Sequence, residues 1–261
     1  MDLAYDRAGQ GEPLVLLHGL GHRRQAWNAV VPRLVGERDV ITVDLPAMGE
    51  SPPPAVGDYR TMADMIEKLF GSLGLDRPHV AGNSLGGLIS IELAARGAVR
   101  TATALSPAGF WNAPERVWCI AVFRIAGLLG ARLPDAAVDR IVGNAAARVA
   151  LYGVFFGRPS HHEPADLVTD LRGLGRHHRP AIDAALAEFA HWPLPSPPAA
   201  GVPTTVAWAR RDLLLFPHQA RRARRALPGA RFLTLPGCGH VPMADDPERV
   251  AALLLEASRT G

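Results

Sequence analysis

Short apolar runs alternate with amphipathic stretches along most of the chain. Residues 13–17 read PLVLL, a continuous apolar run that is typical of a strand covered on both faces. Further strands are predicted at 3–8 (an edge strand), 40–43, 79–81, 99–105, 204–209 and 231–235. Because helix-like segments separate most of these runs, we expect right-handed crossovers and a mostly parallel sheet, that is, an α/β fold with helices on both faces.

Helices are predicted where apolar residues recur at helical spacing. In residues 23–35, Trp27, Val30, Val31 and Leu34 follow this spacing, although Pro32 interrupts the run. The other helices of the α/β part are predicted at 59–73, 88–96, 181–192, 219–227 and 247–258.

The alternation of strand-like and helix-like segments stops between residues 110 and 178, where only helix-like segments occur. They span 114–130, 134–152 and 164–174, and each opens near a proline. We therefore predict an α/β core formed by residues 1–109 and 179–261, with residues 110–178 as a helical insertion.

Composition and charge narrow the class of protein. The 261 residues are 48% hydrophobic and 20% charged, which excludes a wholly disordered chain. The formal net charge is only +3 and no basic motif is present, so we expect no nucleic-acid partner. No secretory signal is visible at the start, and the most apolar stretch, 117–130, is shorter than the roughly 20 residues of a membrane span. A cytoplasmic protein without a membrane span is predicted.

The sequence Gly82-Asn83-Ser84-Leu85-Gly86 lies between a predicted strand and a predicted helix. The pattern G-x-S-x-G in this context indicates a nucleophile elbow, a sharp turn that exposes the serine hydroxyl at the edge of the sheet. The alternative for these five residues alone is a glycine-rich loop with an incidental serine.

Partners for such a serine occur in the expected order. A serine hydroxyl needs a general base, and the base needs an orienting acid. Asp212 follows the strand at 204–209, and His240 follows the strand at 231–235. Because carboxyl ends of parallel strands meet at one edge of the sheet, Ser84, His240 and Asp212 are candidate nucleophile, base and acid.

Backbone N–H groups near Ser84 are candidates for an oxyanion hole. Leu85 supplies one at the start of the predicted helix, and Leu20 supplies the other after His18-Gly19. Such donors contribute about 3 to 4 kcal/mol each to transition-state stabilisation. We expect His18 to brace this loop rather than to transfer protons.

The chain resembles the α/β-hydrolase superfamily over almost its full length. The resemblance is carried by LLHGLG (16–21), VDLPAMGES (43–51), GNSLGG (82–87), WARRDLLLFP (208–217) and PGCGHVPMADDPERV (236–250). It implies a helical cap inserted after the sixth strand, and a triad of Ser84, His240 and Asp212 with no cofactor and no metal. One departure is Ala47, which stands where members of the superfamily often have glycine.

Other polar residues have plainer interpretations. Asp44 is predicted to brace its loop, and Asp245 and Asp246 to cap the last helix. Cys238 is predicted to be a small buried filler; it and Cys119 are too few for a disulfide framework or a zinc site. The histidine pairs at 161–162 and 177–178 are interpreted as solvated loop residues rather than metal ligands.

A dinucleotide-binding unit is the main alternative fold. Gly19-x-Gly21 after a strand, with Asp44 at a later strand end, resembles the start of its fingerprint. Arg24 occupies the third glycine position, however, and this interpretation leaves Ser84 and its two candidate partners unexplained.

Among hydrolases of the superfamily, Ser84 excludes dehalogenases and epoxide hydrolases that use an aspartate at the elbow. The elbow GNSLGG resembles meta-cleavage carbon–carbon hydrolases, although Val241 stands where those usually have tryptophan. We rank cleavage of a small-molecule ester first and carbon–carbon or lactone cleavage second; a ligand sensor with slow turnover is the alternative from another class. Aromatic residues of the insertion are expected to pack between the insertion and the core, and also to line an apolar pocket where the two meet: Phe110, Trp111, Trp118, Phe123, Tyr152, Phe155 and Phe156.

Overall fold

A computed structural model of the protein describes residues 3–53, 58–177, 179–189, 191–192 and 195–259. His178, at the end of the predicted insertion, lies outside the described residues.

Seven strands form one sheet in the order β1-β3-β2-β4-β5-β6-β7. Only β1 is antiparallel to its neighbour β3, and all other neighbouring pairs are parallel. The strands are Tyr5–Gly9 (β1), Glu12–Leu17 (β2), Arg38–Val43 (β3), His79–Asn83 (β4), Ala102–Leu105 (β5), Thr204–Ala209 (β6) and Arg231–Leu235 (β7). The α/β class and the mostly parallel sheet predicted from the apolar runs are confirmed.

The central strands are apolar because helices cover both of their faces. Every residue of β3, β4, β5 and β6 is buried, whereas every residue of the edge strand β1 is exposed. The described helices are Tyr59–Ser72 (α1), Leu85–Ala95 (α2), Ala113–Arg132 (α3), Asp135–Gly143 (α4), Ala145–Tyr152 (α5), Pro164–Arg172 (α6), Arg179–Glu188 (α7), Ala220–Ala226 (α8), Pro242–Asp245 (α9) and Pro247–Ala257 (α10). A π-helical turn, Gly173–His177, joins α6 to the residues before α7.

The helical segment containing α3 to α6 enters the chain between β5 and β6. Five described strands precede it, so the expectation that it follows the sixth strand is wrong for this chain. The predicted helix at 134–152 is in fact two helices. Asn144 separates them because its side chain accepts a hydrogen bond from the N–H of Ala147 (3.0 Å) and so caps α5.

Residues 23–35 do not form the predicted α-helix. They form two 3₁₀ turns, Arg24–Trp27 and Val31–Arg33, because Pro32 lacks the N–H that a continuous helix needs. The apolar positions that suggested a helix are nonetheless buried: Trp27, Val30 and Leu34 are fully inaccessible.

None of the described helices is long and apolar enough to cross a membrane alone. Ala113–Arg132 and Asp135–Gly143 reach the required length and composition only as a pair, across a bend of 119°.

Candidate active site

Ser84 lies in the tight turn between β4 and α2. Its φ of 56° and ψ of −114° are a backbone conformation that non-glycine residues rarely adopt. The Ser84 N–H donates to the carbonyl of Leu105 on β5 (2.9 Å), and its carbonyl accepts from Leu88 (3.0 Å) and Ala108 (3.1 Å). These three bonds hold the strained turn in place.

Two glycines allow β4 and α2 to approach this closely. A Cβ atom on Gly82 would lie 2.2 Å from the backbone of Gly86, and one on Gly86 would lie 2.3 Å from the carbonyl oxygen of Leu17. Both neighbours are backbone atoms that cannot move aside, so the elbow requires glycine at both positions.

Asp212 and His240 form a buried pair at the carboxyl ends of β6 and β7. Asp212 Oδ2 accepts a hydrogen bond from His240 Nδ1 at 2.8 Å. Its Oδ1 accepts from the backbone N–H groups of Leu214 (3.0 Å) and Leu215 (2.8 Å). The Asp212 side chain is fully buried, so its carboxylate is held in one orientation and fixes the imidazole ring.

The other ring nitrogen of His240, Nε2, belongs to a side chain that lines the same cavity as Ser84. His240 Nε2 is buried and has no hydrogen-bond partner among the described residues. Ser84 and His240 both line this cavity, together with Gly19 and Leu20. With Nδ1–H bound to Asp212, Nε2 carries the lone pair that a general base needs.

Backbone contacts fix the loop that carries His240. The Asn83 side-chain amide donates to the carbonyl of His240 (2.9 Å) and to that of Leu105 (3.1 Å). The next N–H, that of Val241, donates to the carbonyl of Phe155 at 3.0 Å. Asn83 therefore ties the histidine loop to the strand that precedes Ser84, a contact that the spacing of the motifs does not reveal.

Two backbone N–H groups near Ser84 are unpaired in the described part of the chain: that of Leu20, in the loop after β2, and that of Leu85, the first residue of α2. His18 is fully buried beside them: its Nε2 accepts from Leu45 N–H (2.9 Å), so its Nδ1 carries the proton and donates to Gly19 O (2.8 Å). Both ring nitrogens of His18 are thus occupied by backbone groups.

Comparison with known proteins identifies the family. The sequence pattern of the alpha/beta hydrolase family matches residues 14–253, which is most of the chain. The chain belongs to the alpha/beta hydrolase family. It is 31% identical over 204 residues to the epoxide hydrolase EphH of Mycobacterium tuberculosis, covering 74% of this chain and 91% of the relative. It is 26% identical to Lipase 3 of a Moraxella species over 247 residues, covering 90% of this chain and 73% of the relative.

A solved structure shows the same fold. The thermophilic esterase of Thermogutta terrifontis matches with a TM-score of 0.76 and 24% identity, over 98% of this chain and 93% of the esterase. At this identity the similarity supports the fold alone.

The cavity of this alpha/beta hydrolase is narrow and mostly apolar. The volume open to the centre of a water molecule is about 30 Å³, space for about two waters. Four of the aromatic residues predicted to form the pocket line it: Phe123, Tyr152, Phe155 and Phe156. The other three pack elsewhere: Phe110 lies edge-on to Trp208, Trp111 stacks on Phe189, and Trp118 stacks on Phe216.

Asp44 braces its own loop, as predicted. Its carboxylate accepts from the backbone N–H groups of Arg24 (2.6 Å) and Glu50 (3.0 Å) and pairs with the Arg24 guanidinium. Ala47, in the same loop, has a φ of 64°. The loop of this hydrolase therefore keeps the left-handed conformation that favours glycine, although alanine occupies the position.

Asp246 caps the last helix as predicted, but Asp245 does not. Asp246 Oδ1 accepts from Arg249 N–H at 3.1 Å at the start of α10. Asp245 Oδ2 instead accepts from Gly157 and Gly239 N–H, both at 2.7 Å, and its Oδ1 accepts from Arg158 N–H at 3.0 Å. Asp245 thus joins the helical segment to the residue before His240, a long-range contact that sequence spacing does not predict.

Replacing Asp245 with asparagine should lower the free energy of unfolding by about 3 kcal/mol. An amide offers one acceptor oxygen in place of two, so either the N–H groups of Gly157 and Gly239 or the N–H of Arg158 must face a donor in place of a carboxylate oxygen. Urea unfolding followed by fluorescence measures the loss. Asp246→Asn is the matched control, because asparagine caps helices as well as aspartate does, and its stability should stay within about 0.5 kcal/mol. Equal stability of the two variants would contradict the assignment.

Cys238, His161 and His162 form no second reactive centre in the described part of the chain. Burial raises the pKa of Cys238 to about 11, which agrees with the predicted buried filler. His162 packs on Phe156 and lies 3.3 Å from Asp245 through its Nε2, whereas His161 is exposed. His162 is therefore not the solvated loop residue that was predicted.

Proposed function

We propose that this hydrolase cleaves carboxylic esters of small to medium apolar substrates through an acyl-enzyme formed on Ser84. The observation that carries the proposal is the buried Asp212–His240 pair: the histidine has an unpartnered Nε2 among the described residues and lines the same cavity as Ser84. A strained serine, a base and an orienting acid are the parts that acyl transfer needs.

In the first half of the proposed reaction, Ser84 Oγ attacks the ester carbonyl carbon while His240 Nε2 takes the hydroxyl proton. The carbon–oxygen bond to the alcohol then breaks, and His240 returns the proton to the departing alkoxide. In the second half, water attacks the acyl-enzyme, His240 takes its proton, and the acid leaves as Ser84 regains its hydrogen. Asp212 stabilises the imidazolium that forms in each half. The reaction needs no cofactor and no metal.

The negative charge that develops on the carbonyl oxygen needs donors. We assign this role to the N–H groups of Leu20, which lines the cavity, and of Leu85, which directly follows Ser84; neither has an acceptor among the described residues. The supporting positions are those whose contacts hold these donors or the elbow: His18, Gly19, Gly82, Asn83 and Gly86.

The proposed substrate is neutral and mostly apolar. Phenylalanine and leucine side chains form much of the cavity wall. Residues of the helical segment, among them Phe123, Tyr152 and Phe155, line the cavity together with Ser84 and His240. This supports treating residues 110–178 as a cap over a core formed by residues 1–109 and 179–261.

Carbon–carbon or lactone cleavage is the alternative reaction. The Gly-Asn-Ser elbow resembles the carbon–carbon hydrolases, whereas a meta-cleavage product hydrolase (17% identity, TM-score 0.77) and an enol-lactonase from Burkholderia xenovorans (23% identity, TM-score 0.74) share the fold. The relative EphH is described as an epoxide hydrolase, but Ser84 occupies the elbow position where an aspartate would attack an epoxide. A ligand sensor would differ from an enzyme in turning over fewer than a few substrate molecules per second.

Labelling with a fluorophosphonate tests the reactive serine. The reagent should modify Ser84 alone, as located by mass spectrometry of peptides, and modification of another residue would refute the assignment. A panel of nitrophenyl esters from acetate to palmitate tests the substrate class. Faster hydrolysis of strongly polar or charged acyl groups than of butyrate would count against an apolar pocket.

A further inference from the structure

Besides Ser84 and His240, two ionisable side chains line the apolar cavity: His22 and Asp170. The hydroxyl of Tyr152, which also lines it, is already used, since it donates to the carbonyl of Leu167 at 2.9 Å. In the described part of the chain, no residue forms a hydrogen bond with the Asp170 carboxyl or the His22 imidazole. The two side chains therefore offer unused hydrogen-bonding groups to whatever fills the cavity.

His22 and Asp170 also line two wider clefts outside the cavity. These clefts have volumes of about 320 and 410 Å³ and are bordered by charged residues that include Arg23 and Asp166. Since the same two side chains line all three spaces, they lie where the narrow cavity meets the open surface. A substrate entering the cavity from either cleft must pass them.

The Asp170 carboxyl is half-buried, so a ligand that covers it must supply a hydrogen-bond partner in place of water or lose about 1 to 3 kcal/mol. Burial raises the pKa of Asp170, whereas the neighbouring charge of His22 acts against this rise. A hydroxyl group can pair with a carboxyl in either protonation state, because it both donates and accepts. A carboxylate ligand would be repelled by the ionised form.

We propose that Asp170 is a specificity-determining residue that selects esters carrying a hydroxyl group on the acyl chain and rejects anionic ones. Asp170 lies where the cavity meets the two clefts. It therefore acts on the part of the substrate's acyl chain that is nearest the mouth of the cavity. The inference rests on the proposed ester hydrolysis for its substrate class, but the ligand preference itself does not require turnover.

The test compares three esters: methyl hexanoate (the plain ester), methyl hydroxyhexanoate (the hydroxylated ester) and the monomethyl ester of adipic acid (the anionic ester). Asp170→Leu should lower the ratio of kcat/KM for the hydroxylated over the plain ester about tenfold, the equivalent of one hydrogen bond. Asp170→Asn should retain that ratio within about threefold, since an amide also donates and accepts, and should raise kcat/KM for the anionic ester. Asp139→Asn, at an exposed position on α4 that lines none of the three spaces, should change none of these ratios.

A binding measurement separates this inference from the proposed function. Calorimetry with hexanol and hexanediol should show that Asp170→Leu lowers the relative affinity for the diol about tenfold. If no ester is hydrolysed while the diol preference depends on Asp170, ester hydrolysis is wrong and the ligand preference stands. If esters are hydrolysed but Asp170→Leu changes neither the kcat/KM ratio of the hydroxylated over the plain ester nor the affinity ratio of hexanediol over hexanol, the role of Asp170 is overturned.

Discussion

Ser84→Ala should reduce ester turnover by about five to six orders of magnitude. The variant lacks the only oxygen that the mechanism allows to form the acyl-enzyme, while the Leu20 and Leu85 N–H groups and the cavity remain. The residual rate therefore measures what oxyanion stabilisation and binding achieve without a nucleophile. Active-site titration and a sensitive fluorogenic ester are needed, because contamination by about one wild-type molecule per million would dominate the signal.

The fold of this variant should be preserved. Alanine at position 84 keeps the strained φ of 56°, and the three backbone bonds that hold the elbow do not involve the hydroxyl. Ser90→Ala is the matched control, because Ser90 is a buried serine on the same helix whose hydroxyl donates only to the Gly86 carbonyl (2.8 Å). It should retain turnover within a few-fold. Activity of Ser84→Ala above about 1% of wild type, with pure protein, would refute the nucleophile.

Much of the fold could be predicted from the sequence because the central strands of this sheet are buried on both faces. Such strands appear as apolar runs, as at residues 13–17 and 206–209, and the helix-like segments between them predict parallel neighbours. Prediction failed where tertiary contacts decide the local structure. Residues 23–35 have helical spacing, yet Pro32 and the bond from Arg24 N–H to Asp44 leave two short turns.

The candidate site was predictable for a related reason. In a parallel sheet, chemical groups that follow strand ends meet at one edge, so Asp212 and His240 could be placed near each other without knowing their distance. Their hydrogen bond of 2.8 Å agrees with this. Groups that belong to the insertion, or that contact it from the core, follow no such positional rule. Asp245 was interpreted as a helix cap and Asp170 was not singled out, because their contacts depend on how the insertion docks.

Asp212→Asn should reduce turnover by about four orders of magnitude without unfolding the protein. Asp212 Oδ1 accepts two backbone N–H groups, from Leu214 and Leu215, so the amide oxygen of asparagine must take that place. The amide NH₂ then faces His240 Nδ1 and donates to it. This forces the proton of the neutral ring onto Nε2, and the nitrogen nearest the substrate loses the lone pair that the base requires.

Asp44→Asn is the matched control, since Asp44 is the other fully buried aspartate at a strand end and the alternative candidate for the acid. Its partners are Arg24 and the Glu50 N–H rather than a histidine, so this substitution should lower stability by a few kcal/mol through the buried ion pair. Turnover per folded molecule, normalised by fluorophosphonate titration, should remain within a few-fold of wild type.

NMR of the imidazole N–H protons checks the tautomer directly: Asp212→Asn should move the His240 proton from Nδ1 to Nε2, and Asp44→Asn should not. Loss of turnover in Asp44→Asn together with an unchanged His240 tautomer in Asp212→Asn would assign the acid to Asp44 instead.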